Sequence, residues 1–325
     1  MLIASAASSR PATAAAVERR LVAMGTYLDL RVEASDRPAA LRASEEAVAE
    51  ISRIENLLST WKPAGPLDRL NRARPGEVVT VGREAANLLA DVETWSQRTD
   101  GAFDPTVLPL VRAWALRGDG RIPSDVERRR AIAATGARHF RIDPEKGEAM
   151  RLSLRAGIDE GAWGKGYALD AAAARLKKAG IREALLDLGG QLLVLGHRAV
   201  SVADPRRRGL AAASLSLSDA SLSTSGNSER GHSVGGRRIG HLLNPRSGRP
   251  APDFGSATAV APSGLVADIL STAFFVLGPE KGLALSERLR REGYPNEALF
   301  LVVRGDRLEA TSSPGLRFQL EGIHR

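Results

Sequence analysis

Apolar residues recur at helical spacing between Pro38 and Leu58, where Leu41, Val48, Ile51, Ile54 and Leu58 line one face. The same reading predicts helices over Arg83 to Arg98, Thr106 to Ala115, Ser124 to Ala134, Lys165 to Lys178, Leu265 to Leu277 and Glu280 to Arg290. Short β-branched or alternating runs predict strands over Thr26 to Val32, Glu77 to Val81, Arg138 to Ile142, Ala156 to Asp159 and Ala184 to Leu188. Further strands are predicted over Leu192 to Leu195, Ala199 to Ala203, Ala212 to Leu217, Ser256 to Val260 and Leu299 to Val303. Helices gather early and strands late, which favours an α+β class over a regular βαβ winding.

Two polar insertions break this pattern. In Ala267-Asp268-Ile269-Leu270-Ser271-Thr272, Asp268 and Thr272 lie four residues apart on one side of an otherwise apolar helix that Ser263 can cap. A buried carboxylate needs a partner, and a hard cation such as Mg²⁺ is one; a hydrogen-bonded helix residue is the alternative reading. The second insertion is Ile158-Asp159-Glu160-Gly161-Ala162-Trp163-Gly164-Lys165-Gly166-Tyr167, a glycine-broken turn entering a helix with Lys165 between two glycines. A lysine at a helix start suits a phosphate. The spacing is neither a Walker loop nor a dinucleotide fingerprint, so a plain strand-to-helix turn is an equal reading at this point.

The order of several motifs then resembles the ApbE family. Met24-Gly25-Thr26, Ser59-Thr60-Trp61-Lys62-Pro63, Gly101-Ala102-Phe103-Asp104-Pro105-Thr106, the 159–170 segment, Asp187-Leu188-Gly189-Gly190, Ser223-Thr224-Ser225-Gly226, His241-Leu242-Leu243-Asn244-Pro245-Arg246-Ser247-Gly248-Arg249-Pro250 and Ala267 to Thr272 occur in the order seen in that family. Its members are FAD:protein FMN transferases, which move the FMN half of FAD onto a threonine or serine hydroxyl and release AMP with Mg²⁺. The resemblance implies an α+β fold of the ApbE type, T-fold-like, with mixed sheets and packed helices. It implies metal ligation by Asp268, Thr272 and the Ala162 carbonyl, with Ser271 at a further ligand position. FAD contacts are implied at Met24, Trp61, Ala102, Phe103, Asp104, Asp159, Lys165 and Leu242, and catalytic work at His241, Asp268 and Lys165. The implied partner is an acceptor flavoprotein in trans, a subunit of a membrane redox complex. FAD hydrolysis to FMN and AMP, and FAD binding without turnover, are the alternatives.

Three departures from the pattern stand out. Asn244 occupies a position where relatives commonly carry Asp, Glu160 replaces a small apolar residue, and Trp163 replaces an aliphatic one, a change expected to reshape the pocket wall.

Composition narrows the remaining classes. The 325 residues are 43% hydrophobic and can bury one substantial core, expected as a single domain over residues 22–325. A formal charge of +8 raises a nucleic-acid-binding module as a competitor, but the arginines are scattered and only 4% of residues are aromatic. With no cysteine and five scattered histidines, thiolate and imidazole zinc cages are excluded or disfavoured. No apolar run reaches the roughly 18 residues a membrane span needs. Residues 1–21 are expected to form a flexible segment or the remnant of an export signal, favouring the cell envelope.

Overall fold

In strand Thr26–Ala34 the even positions Leu28, Leu30 and Val32 are buried, the alternation of a sheet with one face on a core. The computed structural model describes residues 15–61, 65–207, 209–227 and 231–321. Among these, eight strands form one sheet in the order Ala15–Ala23, Thr26–Ala34, Glu183–Leu188, Gln191–Leu195, Ser221–Gly226, Gly255–Ala261, Glu297–Arg304, Arg307–Ser312. Every neighbouring pair is antiparallel, so what is mixed is helix and sheet layers rather than strand direction.

One face of the sheet carries the main core. Leu186, Leu188, Ala257, Ala259 and Phe300 meet Ile51, Ile54 and Leu58 of helix Arg37–Leu58, Leu169 and Leu176 of helix Gly164–Lys178, and Ile269 and Phe274 of helix Gly264–Leu277. The opposite face, through Leu192, Leu222, Leu299 and Leu301, packs on a second sheet of strands His197–Ala203, Ala211–Ser218 and Gln319–Leu320. A third cluster of Leu110, Trp114, Ala131, Ile239 and Leu243 joins helices Leu108–Ala113 and Asp125–Ala133 to the segment around residues 231–250. The α+β expectation therefore holds as helices, large sheet and small sheet in three layers.

Some expectations need correction. Residues 15–21, expected in a flexible N-terminal segment, pair with 28–34 as the sheet's edge strand, while residues 1–14 lie outside the described residues. In helix Arg37–Leu58 the buried stripe is Ala40, Ala43, Ala47, Ile51, Ile54 and Leu58; Leu41 is exposed and Val48 half-buried, because the close neighbour is helix Gly164–Lys178 and small side chains face it. Ala156 to Asp159 forms no strand and joins no sheet. The Asn71 side chain takes Ile158's N–H at 2.8 Å and gives a hydrogen bond to its carbonyl at 2.9 Å, while Asp159 N donates to Pro105 O at 2.8 Å. Side-chain and loop partners satisfy the backbone there in place of a ladder. The serine-rich strand Ser221–Gly226 and helix Pro66–Arg72 were not foreseen, since neither carries a periodic apolar pattern.

Candidate active site

Helix Gly264–Leu277 starts where Ser263 caps it and ends at Gly278, whose φ of 78° only glycine adopts freely. Packed on it is strand Ser221–Gly226, and alternation turns Ser223 and Ser225 toward the helix while Thr224 faces Thr258. Ser271 Oγ lies 3.0 Å from Ser223 Oγ, 2.9 Å from Ser225 Oγ and 3.0 Å from the Asp268 carbonyl; Thr272 Oγ1 lies 3.4 Å from Ser225 Oγ. Asp268 is only 4% exposed, and its Oδ2 accepts the Gly166 N–H at 3.0 Å. Burial raises its carboxyl pKa above the usual range, opposed by the nearby Lys165 charge and by hydrogen bonds from Gly166 and Ser223.

The Gly161–Gly166 turn is brought to this cluster by two glycines. A Cβ on Gly166 would sit 2.1 Å from Gly264 O, and one on Gly264 would sit 2.5 Å from Gly166 O, so the two helix starts meet backbone to backbone. Asp170 locks the contact by accepting from Ser263 Oγ at 2.7 Å, Gly264 N at 2.6 Å and Leu265 N at 2.9 Å. Burial raises the Asp170 pKa, and those bonds oppose it. Lys165 follows Gly164 at the helix start and also faces Asp187, whose pKa is raised by burial and lowered by the Gly190 N–H and the Lys165 charge. Trp163 does not form a pocket wall as expected: its indole is wholly buried, and Nε1 donates to Asp159 O at 2.8 Å, tying the turn down from beneath. Met24, at the tip of the first hairpin with φ of 48°, places its Cε 3.5 Å from where a Gly164 Cβ would be.

Around the other side, Trp61 is 63% exposed, with the Arg117 guanidinium 4.4 Å from its ring centre. Arg117 also pairs with Asp159, and Glu160 accepts Thr60 N at 3.1 Å as well as the Thr60 hydroxyl. Burial and the adjacent Asp159 charge raise the Glu160 pKa, while Thr60 lowers it. Lys62 and Pro63 of this motif lie outside the described residues. Asp104 accepts from Thr106 N at 2.7 Å and Oγ1 at 2.6 Å, and burial raises its pKa. The side chains of Ala102 and Phe103 are buried in the main core, so this loop can meet a ligand through its backbone and Asp104 rather than through the phenyl ring.

The histidine motif completes the site. His241 is half-buried, Leu242 packs against the main core, and Ala251 N donates to Leu242 O at 2.8 Å. Asn244 Oδ1 accepts from Arg246 N at 2.9 Å and Ser247 N at 3.2 Å, a turn that an aspartate would also form. Gly240 lies against the Asn227 side chain, the residue after strand Ser221–Gly226, so the residue before His241 sits next to the serine strand's end. Arg246 reaches Asp100 O in front of the 101–105 loop, and that loop bonds Asp159. The contacts join Trp61 and Arg117 to Asp159, Asp159 to the 161–166 turn and to Pro105 of the 101–105 loop, that turn to Asp268 and the serines, and the histidine motif through Arg246 to Asp100.

The donors that the structure brings together are the Asp268 carboxylate and the hydroxyls of Ser223, Ser225, Ser271 and Thr272, all hard oxygens, while Ala162 lies in the neighbouring turn with its side chain against the main core. Among the described residues no group of three or more His, Asp or Glu is placed to hold a metal. A set of oxygens with a single carboxylate fits Mg²⁺, which fills its octahedron from phosphate and water. Ser271 points inward to three neighbours and Asp268 is buried beside it, whereas Thr272 is half-buried.

The ApbE family profile matches residues 24–294. The chain belongs to the ApbE family. It is 30% identical over 305 residues to the FAD:protein FMN transferase of Salmonella typhimurium, covering 90% of this chain and 85% of that one. It is 31% identical over 324 residues to the enzyme of that name from Klebsiella pneumoniae, with 92% and 88% covered. Among solved structures, the ApbE protein of Thermotoga maritima superposes with a TM-score of 0.83 at 27% identity, covering 92% of this chain and 97% of that one. The flavinyl transferase ApbE of Pseudomonas stutzeri, in its apo form, gives 0.79 at 29% identity, with 93% and 95% covered. ApbE proteins are thus a transferase family, and this member keeps their fold over nearly its whole length. Ser223, Ser225, Asp187 and Glu160 stand in motifs of the sequence that carry no assigned role there, and Arg117 is not singled out by the sequence at all. Serines two apart beside a Gly were the signal for the first pair; Arg117 had none, because only folding brings it to Trp61.

Proposed function

We propose that this protein transfers FMN from FAD to a threonine or serine hydroxyl of an acceptor flavoprotein in trans, forming a phosphoester and releasing AMP in an Mg²⁺-dependent reaction. The observation that carries the reading is Asp268, a carboxylate 4% exposed, set among hydroxyls and facing the single lysine of a helix start. Asp268, Thr272 and the Ala162 carbonyl would hold Mg²⁺, which would supply charge neutralisation at the pyrophosphate. Lys165 would offset charge on the leaving AMP phosphate. His241 takes the acceptor's hydroxyl proton; the oxygen then bonds to the FMN phosphorus as the bond to the AMP oxygen breaks, and AMP departs with that electron pair. Trp61, Asp159, Asp104, Met24 and Leu242 would contact FAD. The acceptor is a flavoprotein subunit of a membrane redox complex, and the site of action is the cell envelope.

The test is chromatographic detection of AMP from purified protein and FAD, with and without Mg²⁺, beside the mass of an acceptor fragment carrying a Ser/Thr motif. Metal-dependent AMP with an FMN-sized mass gain supports transfer. AMP without mass gain on any Ser/Thr fragment replaces it with hydrolysis, and FAD binding without AMP replaces it with a binding role. Asp268→Asn is expected to lower AMP release at least about 100-fold, the usual scale for losing a charge-stabilising group, with unchanged circular dichroism.

A further inference from the structure

Of the four tryptophans, Trp95, Trp114 and Trp163 are at most 8% exposed, and Trp61 is 63% exposed. An indole left in water gives up the burial free energy its ring could gain. Here the surroundings hold it in place. Arg117 donates from Nη1 to Thr60 O at 2.9 Å and from Nη2 to Thr60 Oγ1 at 2.5 Å, fixing the residue next to the ring. The same Nη2 pairs with Asp159 Oδ2, while Asp159 Oδ1 accepts the Gly161 N–H at 2.9 Å. Glu160 holds Thr60 from the other side through its N–H and hydroxyl. One planar cation therefore joins the Thr60-Trp61 loop to the Asp159 turn and lies 4.4 Å from the ring centre.

Two further features show that this cation is built in. Arg117 Nε is buried without a hydrogen-bond partner and the side chain as a whole is only 22% exposed, so the guanidinium is held from the protein side of the indole, where cation–π attraction adds to its hydrogen bonds. Its loop is also anchored: Ala115 has a φ of 51°, Arg121 N returns to Trp114 O at 2.9 Å, Trp114 Nε1 donates to Gly248 O at 2.8 Å, and a His232 ring nitrogen lies 3.2 Å from Leu116 O. The loop that aims Arg117 is thus tied to the segment that follows His241.

We propose that Arg117 is a positioning residue for FAD. It backs one face of the Trp61 ring, leaves the other face for an aromatic ring of the dinucleotide, and fixes the Asp159 carboxylate beside it. The inference rests on the FAD reading above. A lysine cannot substitute, because a point charge on a flexible stem neither lies flat on an indole nor bridges Thr60 and Asp159.

The experiment compares wild type, Arg117→Met and Arg117→Lys by calorimetric FAD titration, AMP kinetics and acrylamide quenching of tryptophan emission, with Trp61→Phe identifying Trp61's share. Both variants are expected to bind FAD about tenfold more weakly, with KM for FAD raised equally and kcat within about threefold. Trp61 emission should shift and quench more readily in both. In a Trp61→Ala background, Arg117→Met should cost less than about half its fold-change in wild type, because the two residues act as a unit. A role in folding alone would lower the melting temperature and leave KM for FAD and the Trp61 quenching unchanged; that result overturns the proposal, as does lysine behaving like arginine. If the methionine variant does not fold, the lysine variant carries the same comparisons. Should wild type neither bind FAD nor release AMP, the FAD reading fails, and unaltered Trp61 quenching in the variants would separately refute the support of the ring by Arg117.

Discussion

Asp268 and Glu50 are both buried carboxylates, and their surroundings move them in opposite directions. Asp268 has no cation bonded to it, so burial raises its pKa; bound Mg²⁺ would reverse that by favouring the charged form. Glu50 accepts from Arg53 Nη2 at 2.7 Å and Arg175 Nε at 3.2 Å, and the Arg53 hydrogen bond leads the effects that hold its pKa below the ordinary 4.5. A depressed carboxyl pKa gives stability that is present above the unfolded value and lost as pH falls through the folded one. Thermal unfolding followed from pH 7 to pH 3 should therefore show a fall in melting temperature beginning near pH 4.5, and Glu50→Gln should start lower and show a shallower fall. An unchanged slope in that variant would remove Glu50 from the acid response. Trp163→Phe should cost about 1–2 kcal/mol from a lost hydrogen bond and a small void, measured by denaturant unfolding. It should also raise KM for FAD, since Nε1 holds Asp159 O.

The starts of helices Gly164–Lys178 and Gly264–Leu277 form one unit. Their backbones approach at Gly166 and Gly264, Asp170 of the first supplies the cap of the second, and Asp268 of the second accepts the Gly166 N–H of the first. Lys165 and Asp268 are therefore held at fixed spacing by main-chain contact rather than by side-chain packing. Gly166→Ala is expected to destabilise by about 3 kcal/mol or more, at the upper end for overpacking, because the new methyl meets a carbonyl that cannot turn away. Urea unfolding measures this, and a loss under about 1 kcal/mol would show that the helices can separate without penalty. Asp170→Ala should cost about 1–2 kcal/mol by uncapping the helix and lower Mg²⁺-dependent AMP release at the same time.

Three layers divide the labour across the molecule. The large antiparallel sheet presents Ser223 and Ser225 on its helical face, the small sheet covers the other face, and the third cluster pins the 231–250 segment against Trp114 and the loop carrying Arg117. Ligands that bind only the folded protein stabilise it by mass action, about 2.7 kcal/mol at 100 times Kd. Saturating FAD with Mg²⁺ should accordingly raise the melting temperature by roughly 5 °C in a chain of this size. In Asp268→Asn the Mg²⁺-dependent part of that rise should vanish while the FAD-only part remains; an undiminished Mg²⁺ effect would place the metal elsewhere.

Most helices were legible in the chain because their apolar periodicity needs no tertiary information: Arg83–Arg98 falls where the spacing puts it, and Gly164–Lys178 and Gly264–Leu277 begin one residue earlier than read. Asp268 and Thr272 were legible for the same reason, as oxygens on one side of a helix. The strand Ser221–Gly226 was not, since a polar run becomes a central strand only when Gln191–Leu195 and Gly255–Ala261 flank it. Ala156 to Asp159 reads as a strand from its side chains, yet Asn71 and Pro105 took the hydrogen bonds a neighbouring strand would need. Arg117, one scattered arginine among many, acquired its place under Trp61 from a loop anchored 134 residues away at Gly248. Local periodicity and motif order belong to the chain itself, whereas hydrogen-bond partners and charge neighbours depend on which distant segments the fold brings together.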